Sequence, residues 1–141
     1  MGSRDCFACG QDNPIGLHLD FKCHDGYVEC QLVLEQRFAG WNDIAHGGIT
    51  ATVLDEAASY VPYCMGFVTV TARLDIKYLS PIRVGEELTV QGRFVERRRQ
   101  IIEADASIRD GSSDLKASAR AKLMILGEHS DQEIDILEFL R

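Results

Sequence analysis

The chain has 141 residues, of which 45% are hydrophobic and 26% charged, and its formal net charge is −7. That length fits one domain with a core of its own, and no run approaches the ~20 apolar residues that a membrane span needs. The acidic balance speaks against nucleic acid, whose affinity rests on phosphate neutralisation, and against a basic membrane-surface module.

No apolar leader core is visible in the first 25 residues, and the five cysteines, Cys6, Cys9, Cys23, Cys30 and Cys64, are an odd number. The expectation is a cytoplasmic protein with reduced thiols. Cys6 and Cys9 form a Cys-x-x-Cys pair. Zinc is usually held by two such close pairs, and no second pair exists, so packed thiols and no metal are expected.

The next segments alternate. Leu17, Leu19, Phe21 and Cys23 interleave with His18, Asp20 and Lys22. Val28, Cys30, Leu32 and Leu34 continue after an Asp25-Gly26 turn. Such alternation marks strands with one buried face. From about Gly47 to Tyr63 the period changes. Ile49, Val53, Leu54, Ala57, Tyr60 and Val61 are spaced for a helix, Thr52, Asp55, Glu56 and Ser59 form a narrow polar stripe, and Pro62 should close the element. This helix has no Lys or Arg. It should therefore be covered on most sides, with two acids in a protected strip.

Four more alternating runs follow. Val68, Val70, Ala72, Leu74, Ile76 and Tyr78 define the first. Leu88 to Phe94, Ile102 to Ile108 and Leu115 to Leu123 define the others. Short turns between them, at Ser80-Pro81 to Gly85 and at Asp110-Gly111-Ser112, suggest an antiparallel meander. The predicted architecture is α+β: an antiparallel sheet of about six strands wrapped around one central helix, in a single domain over residues 1–141. Ser130 to Glu133 reads as a capping box, so a short acidic tail helix is expected over about 130–140.

The densest chemical constellation is Trp41-Asn42-Asp43-Ile44-Ala45-His46-Gly47-Gly48, followed by Asp55. Glycines at a helix start bare N–H groups at its positive end, where they can polarise a carbonyl. A nearby carboxylate can serve as base or nucleophile. Gly47 and Asp55 are eight residues apart, or about 12 Å along one helix. One substrate carbonyl cannot touch both, so the site closes only if a second subunit supplies one of them. A two-fold dimer is the expected form.

His46-Gly47-Gly48, the acid nine residues after the histidine, Tyr78-Leu79-Ser80-Pro81 and Gly85-Glu86 together resemble the hot-dog-fold thioesterase superfamily. Cys6-Phe-Ala-Cys9-Gly10 with Asn13-Pro14-Ile15-Gly16-Leu17 is similar to the start of its PaaI-like branch. The resemblance spans roughly residues 5 to 125. It implies hydrolysis of an acyl-CoA thioester by a homodimer or homotetramer with shared active sites, with no cofactor beyond the CoA of the substrate.

In that resemblance Asp55 is the general base or nucleophile, and the N–H of Gly47 or Gly48 polarises the carbonyl. His46 shapes the loop and Thr71 orients the water. Asn42 and Glu56 are candidate substrate contacts, Glu56 as a support. Arg97, Arg98 and Arg99 form the sharpest basic cluster for the CoA phosphates. Two readings compete: a hot-dog hydratase or dehydratase using a His46/Glu56 pair, and a non-catalytic acyl-CoA-binding protein.

The charge is unevenly spread. Residues 1–72 carry −6, residues 73–122 carry +3 and residues 123–141 carry −4. The late strands, where the basic cluster lies, run against the chain's average.

Overall fold

The structure is a computed structural model that describes residues 3–130. The expected tail helix, apart from Ser130, lies outside the described residues. The elements in chain order are β1 (Lys22–Cys23), β2 (Tyr27–Val33), a 3-10 turn (Gln36–Phe38), α1 (Gly47–Cys64), β3 (Phe67–Tyr78), β4 (Glu87–Arg98), β5 (Ile101–Asp110) and β6 (Leu115–Glu128). All six strands form one antiparallel sheet in the order β1-β2-β4-β5-β6-β3. Helix α1 packs on its inner face. The α+β architecture expected from the alternating runs is the one observed.

Two expectations about the strands need correction. The late strands are not a four-strand meander: β3 pairs with β6 at the far edge of the sheet, and β2 pairs with β4. The segment 79–86 is drawn across the start of α1 instead of turning back on β3. Ala45 N–H donates to Ile82 O, and Val84 N–H donates to Asp43 O, each at 2.8 Å. The first alternating run also forms less strand than predicted. Leu17, Leu19 and Phe21 are buried, but Leu17 and Leu19 donate their N–H groups to Phe7 O and Ala8 O in the N-terminal turn. Only Lys22 and Cys23 pair with β2.

Helix α1 buries Val53, Leu54, Ala57, Ala58 and Val61. They face a floor that includes Leu88, Val90, Ile108 and Leu123 from the sheet. The closest approach is at Gly92 of β4, where an added Cβ would lie 2.3 Å from the carbonyl oxygen of Ala57. Only glycine lets the helix backbone settle that near the strand. Pro62 does not close the helix, which runs two residues further to Cys64. Proline removes its own N–H, but its carbonyl still accepts from Met65 N–H at 3.0 Å.

The thiols differ from expectation as well. Cys23, at the end of β1, and Cys64, at the last position of α1, form a disulfide. The fold brings together two residues separated by 41 positions, which no local spacing could reveal. Cysteine usage therefore no longer argues for a reducing compartment. No helix among the described residues is long and apolar enough to cross a membrane.

Candidate active site

The start of α1 is held from three sides. His46 is the N-cap, with φ −58° and ψ 133°, and its Nδ1 accepts from Gly48 N–H at 2.9 Å. Its own N–H donates to Phe38 O at 2.9 Å. Tyr78, the last residue of β3, donates its hydroxyl to Gly47 O at 2.8 Å. Sequence reasoning gave Tyr78 no role; its place just before Leu79-Ser80-Pro81 was the available signal. Because the Gly48 N–H is occupied by the histidine ring, the exposed Gly47 N–H is the donor at this helix end without a hydrogen bond among the described residues.

Two turns along, Asp55 lies half-buried and meets Thr71 of β3. Thr71 Oγ1 donates to Asp55 Oδ1 at 2.7 Å. Unbroken alternation would turn Thr71 away from the side that Leu74 and Ile76 occupy. A β-bulge prevents this. Thr71 stands opposite Leu123 and Arg73 stands opposite Lys122, so Ala72 is the extra residue. Leu74 and Ile76 pack on the core, and Thr71 points to the same side. Bulges near functional sites re-aim a side chain in this way.

A pocket of about 300 Å³ opens beside the helix start, lined by Ile44, Gly47, Thr50, Tyr78, Pro81 and Ile82 among others. Trp41, at the adjacent loop, is 81% exposed. Asn42 occupies the tip of that loop with φ 51°. Asparagine tolerates this left-handed conformation better than most residues. Asp55 is not among the residues lining this pocket, as the separation along the helix requires.

A model of the thioesterase superfamily matches residues 42–117, more than half of the chain. The chain belongs to the thioesterase superfamily. Human acyl-coenzyme A thioesterase 13 is 27% identical over 107 residues, covering 74% of this chain and 71% of that one. A hypothetical thioesterase of Streptococcus pneumoniae, solved with coenzyme A, superposes with a TM-score of 0.76 at 24% identity, over 79% of this chain and 91% of that one. The same pneumococcal protein has been solved as an aspartate-to-alanine and as a threonine-to-alanine mutant, at positions sixteen residues apart. The PaaI protein of the E. coli phenylacetic acid degradation operon superposes with a TM-score of 0.74 at 21% identity, over 79% of this chain and 82% of that one.

Within this superfamily fold the basic cluster is divided. Arg97 lies over the ring of Phe67, 4.9 Å from its centroid, and its Nε donates to Arg99 O at 2.9 Å. Arg98 pairs with Glu96 at 3.4 Å. Arg99 sits in the β4–β5 turn with φ 54°. Arg97 stands opposite Ile102, which stands opposite Leu123, which stands opposite Thr71. It therefore shares a row of the sheet with the Asp55 partner. On the outer face, a broad groove of about 760 Å³ is lined by Lys77, Arg93, Asp105, Arg109 and Arg120 among others. Arg120 is paired there with Asp105 and Glu103, and the groove does not include Asp55.

Glu56 does not join Asp55 and Thr71. It is only 8% exposed and faces the N-terminal turn, where its carboxylate lies near the sulfurs of Cys6 and Cys9. Burial, followed by the neighbouring Asp55 charge, raises its carboxyl above the usual range, and a hydrogen bond with Cys9 opposes this.

Proposed function

We propose that this superfamily member hydrolyses an acyl-CoA thioester to a free acid and CoA, in a homodimer whose two active sites each draw on both subunits. The observation that carries this reading is the 2.7 Å hydrogen bond from Thr71 Oγ1 to Asp55 Oδ1, beside a helix that opens on Gly47. The sixteen-residue separation of Asp55 and Thr71 equals that of the two positions mutated in the pneumococcal thioesterase.

The proposed chemistry follows from these groups. Thr71 donates its proton to one oxygen of Asp55, so its lone pairs are left to accept from a water. The second oxygen of Asp55 takes a proton from that water as it attacks the thioester carbon. The carbonyl oxygen becomes negative and is held by the Gly47 N–H, at the positive end of the partner subunit's helix. The carbon–sulfur bond then breaks, and the CoA sulfur leaves with a proton. Direct attack by Asp55 through an acyl-enzyme anhydride is the other route that the same geometry permits.

Subunit sharing is supported by the position of β3. It is the outermost strand of the sheet and is twelve residues long. Its open edge offers backbone groups to a second copy of itself. Antiparallel pairing about a two-fold axis there would run the two α1 helices in opposite directions and bring one Gly47 toward the other Asp55. Arg97 is the favoured member of the basic cluster for a CoA phosphate, since it has no carboxylate partner among the described residues and shares the row of Thr71.

The hydratase reading loses its motivating pair. His46 caps the helix through Nδ1, while Glu56 is buried against the cysteines. The test is an acyl-CoA panel with free-thiol detection, run on the wild-type chain and on Asp55→Asn. Thiol release by the former and its collapse in the latter are expected. Tight acyl-CoA binding with no thiol release by either would favour a binding protein.

A further inference from the structure

We propose that the Cys6-x-x-Cys9 turn and Glu56 form a binding site for one thiophilic divalent cation, zinc being the ion that best suits two thiolates and one carboxylate. This site is separate from the thioester chemistry and does not depend on it.

The ligand atoms already converge. Cys6 Sγ, Cys9 Sγ and a carboxylate oxygen of Glu56 all lie within 4.8 Å of one another. Tetrahedral zinc with Zn–S near 2.3 Å and Zn–O near 2.0–2.2 Å requires its ligand atoms about 3.5–3.8 Å apart. Binding therefore needs the ligand atoms to draw together by about 1 Å or less. Three protein ligands leave a fourth position for water, the pattern of open zinc sites.

The turn is built to hold the two sulfurs together. Gly10 N–H donates to Cys6 O and Asp12 N–H donates to Arg4 O, both at 2.9 Å. An added Cβ on Gly10 would fall 2.3 Å from Cys6 N and 2.4 Å from Arg4 O, so only glycine closes the turn. Leu17 and Leu19 then fasten it through their bonds to Phe7 O and Ala8 O. Ala8 and Cys9 are buried against the core. The Cys-x-x-Cys pair is therefore fixed over helix α1.

An independent observation points to a cation. Glu56 Oε1 is buried and has no hydrogen-bond partner among the described residues, in a side chain that is more than nine-tenths buried. An orphaned carboxylate oxygen in a low-dielectric setting is costly. The anionic forms also disfavour each other. A dication placed among the three groups would offset these repulsions by attracting each of them. Binding would release the thiol protons to solvent and needs no oxidant. It would add a further tie between the N-terminal turn and α1 next to Asp55.

The test uses the full chain, reduced, loaded with Zn(II) and passed through gel filtration before elemental mass spectrometry. Retention of about one zinc per chain is expected. Loading with Co(II) instead should give a sulfur-to-cobalt charge-transfer band with tetrahedral d–d bands. The band should persist in Cys30→Ser and in the Cys23→Ser/Cys64→Ser double variant, and should vanish in Cys6→Ser/Cys9→Ser. Glu56→Gln should keep a thiolate band but weaken zinc roughly tenfold or more. The proposal fails if the wild-type chain keeps no zinc and shows no charge-transfer band. It also fails if the band survives loss of Cys6 and Cys9, or if mass spectrometry of the zinc-loaded chain finds those two joined as a disulfide. The first two measurements are made on the wild-type chain, so a variant that does not fold leaves the outcome decisive.

Discussion

Thr71 reaches Asp55 across the helix–sheet interface, with 2.7 Å between hydroxyl and carboxylate oxygens, because Ala72 bulges out of β3 between them and the core-facing Leu74. The pairing gives the two residues unequal weights. If Asp55 is the proposed proton acceptor, Asp55→Asn should lower kcat about 10²–10⁴-fold. Thr71→Val keeps the shape and removes the hydroxyl proposed to orient the water, for an expected loss of roughly ten- to a hundredfold. If the two together lose no more than Asp55→Asn alone, they act as one unit. Equal activity in Asp55→Asn and wild type, with both folded by circular dichroism, would sink the assignment.

The hydroxyl of Tyr78 ties the end of β3 to the first carbonyl of α1. Tyr78→Phe deletes that bond with little change of volume. A net loss of about 1 kcal/mol is expected in urea unfolding. The helix start also loses an anchor beside the Gly47 N–H proposed to hold the carbonyl oxygen, so kcat should fall more than KM rises. An unchanged kcat would mean that His46 alone holds the loop.

Arg97 carries its guanidinium over Phe67 rather than against an acid. Arg97→Met retains the apolar stem and removes the charge. If it meets a CoA phosphate, KM for acyl-CoA should rise about tenfold, as expected for one charge-assisted contact. KM for the matching acyl-pantetheine, which has no nucleotide phosphates, should not change. A parallel rise with both substrates would indicate that the arginine only supports Phe67.

Much of this was legible along the chain, and the parts that were not share a cause. Helix α1 announced itself because Val53, Leu54, Ala57 and Val61 repeat at its period, and its lack of Lys and Arg foretold its burial. The strands were visible as alternation. The bulge at Ala72 was not, because an alanine continues the apolar pattern that the bulge interrupts. The edge position of β3 goes with a 79–86 segment in which Ile82 O accepts from Ala45 N–H and Val84 N–H donates to Asp43 O, contacts between segments that are each locally unremarkable. Along the sequence Gly47 and Gly48 are equivalent donors, whereas in the fold the His46 ring takes the Gly48 N–H. Glu56 read as part of the polar stripe with Asp55, yet a helix turns adjacent residues by about 100°, enough to send one carboxylate to Thr71 and the other to Cys9. Gly47 and Asp55 follow from the helix start and the carboxylate two turns along it, whereas the roles of Thr71 and His46 come from the motif resemblance, which does not say which way Glu56 faces.

The Cys23–Cys64 disulfide closes a loop between residues separated by 41 positions and ties β1, with only two paired residues, to the end of the helix. In the chain-entropy account, a loop of that length restrains the unfolded state by about 2–4 kcal/mol. Cys64→Ser should therefore unfold at lower urea than the oxidised wild type by that amount. A reductant should lower the wild type to the level of the variant and leave the variant unmoved. If reductant has no effect on the wild type, the bond contributes nothing to stability.

Gly92 and Gly111 make an internal comparison for the helix–sheet contact. A Cβ on Gly92 would lie 2.3 Å from Ala57 O and 2.9 Å from Ala57 C, whereas one on Gly111 meets nothing within 4 Å. Gly92→Ala must push α1 away from β4 or bend the strand, and should cost about 1–3 kcal/mol or more. The displaced helix carries Asp55, so activity should fall further than the folded fraction does. Gly111→Ala should stay within about 0.5 kcal/mol of wild type. Both proteins are measured by urea unfolding and thiol release. Equal stability of the two would show that the helix backbone does not rest on β4 at this point, and that the distance from Asp55 to Thr71 is set elsewhere.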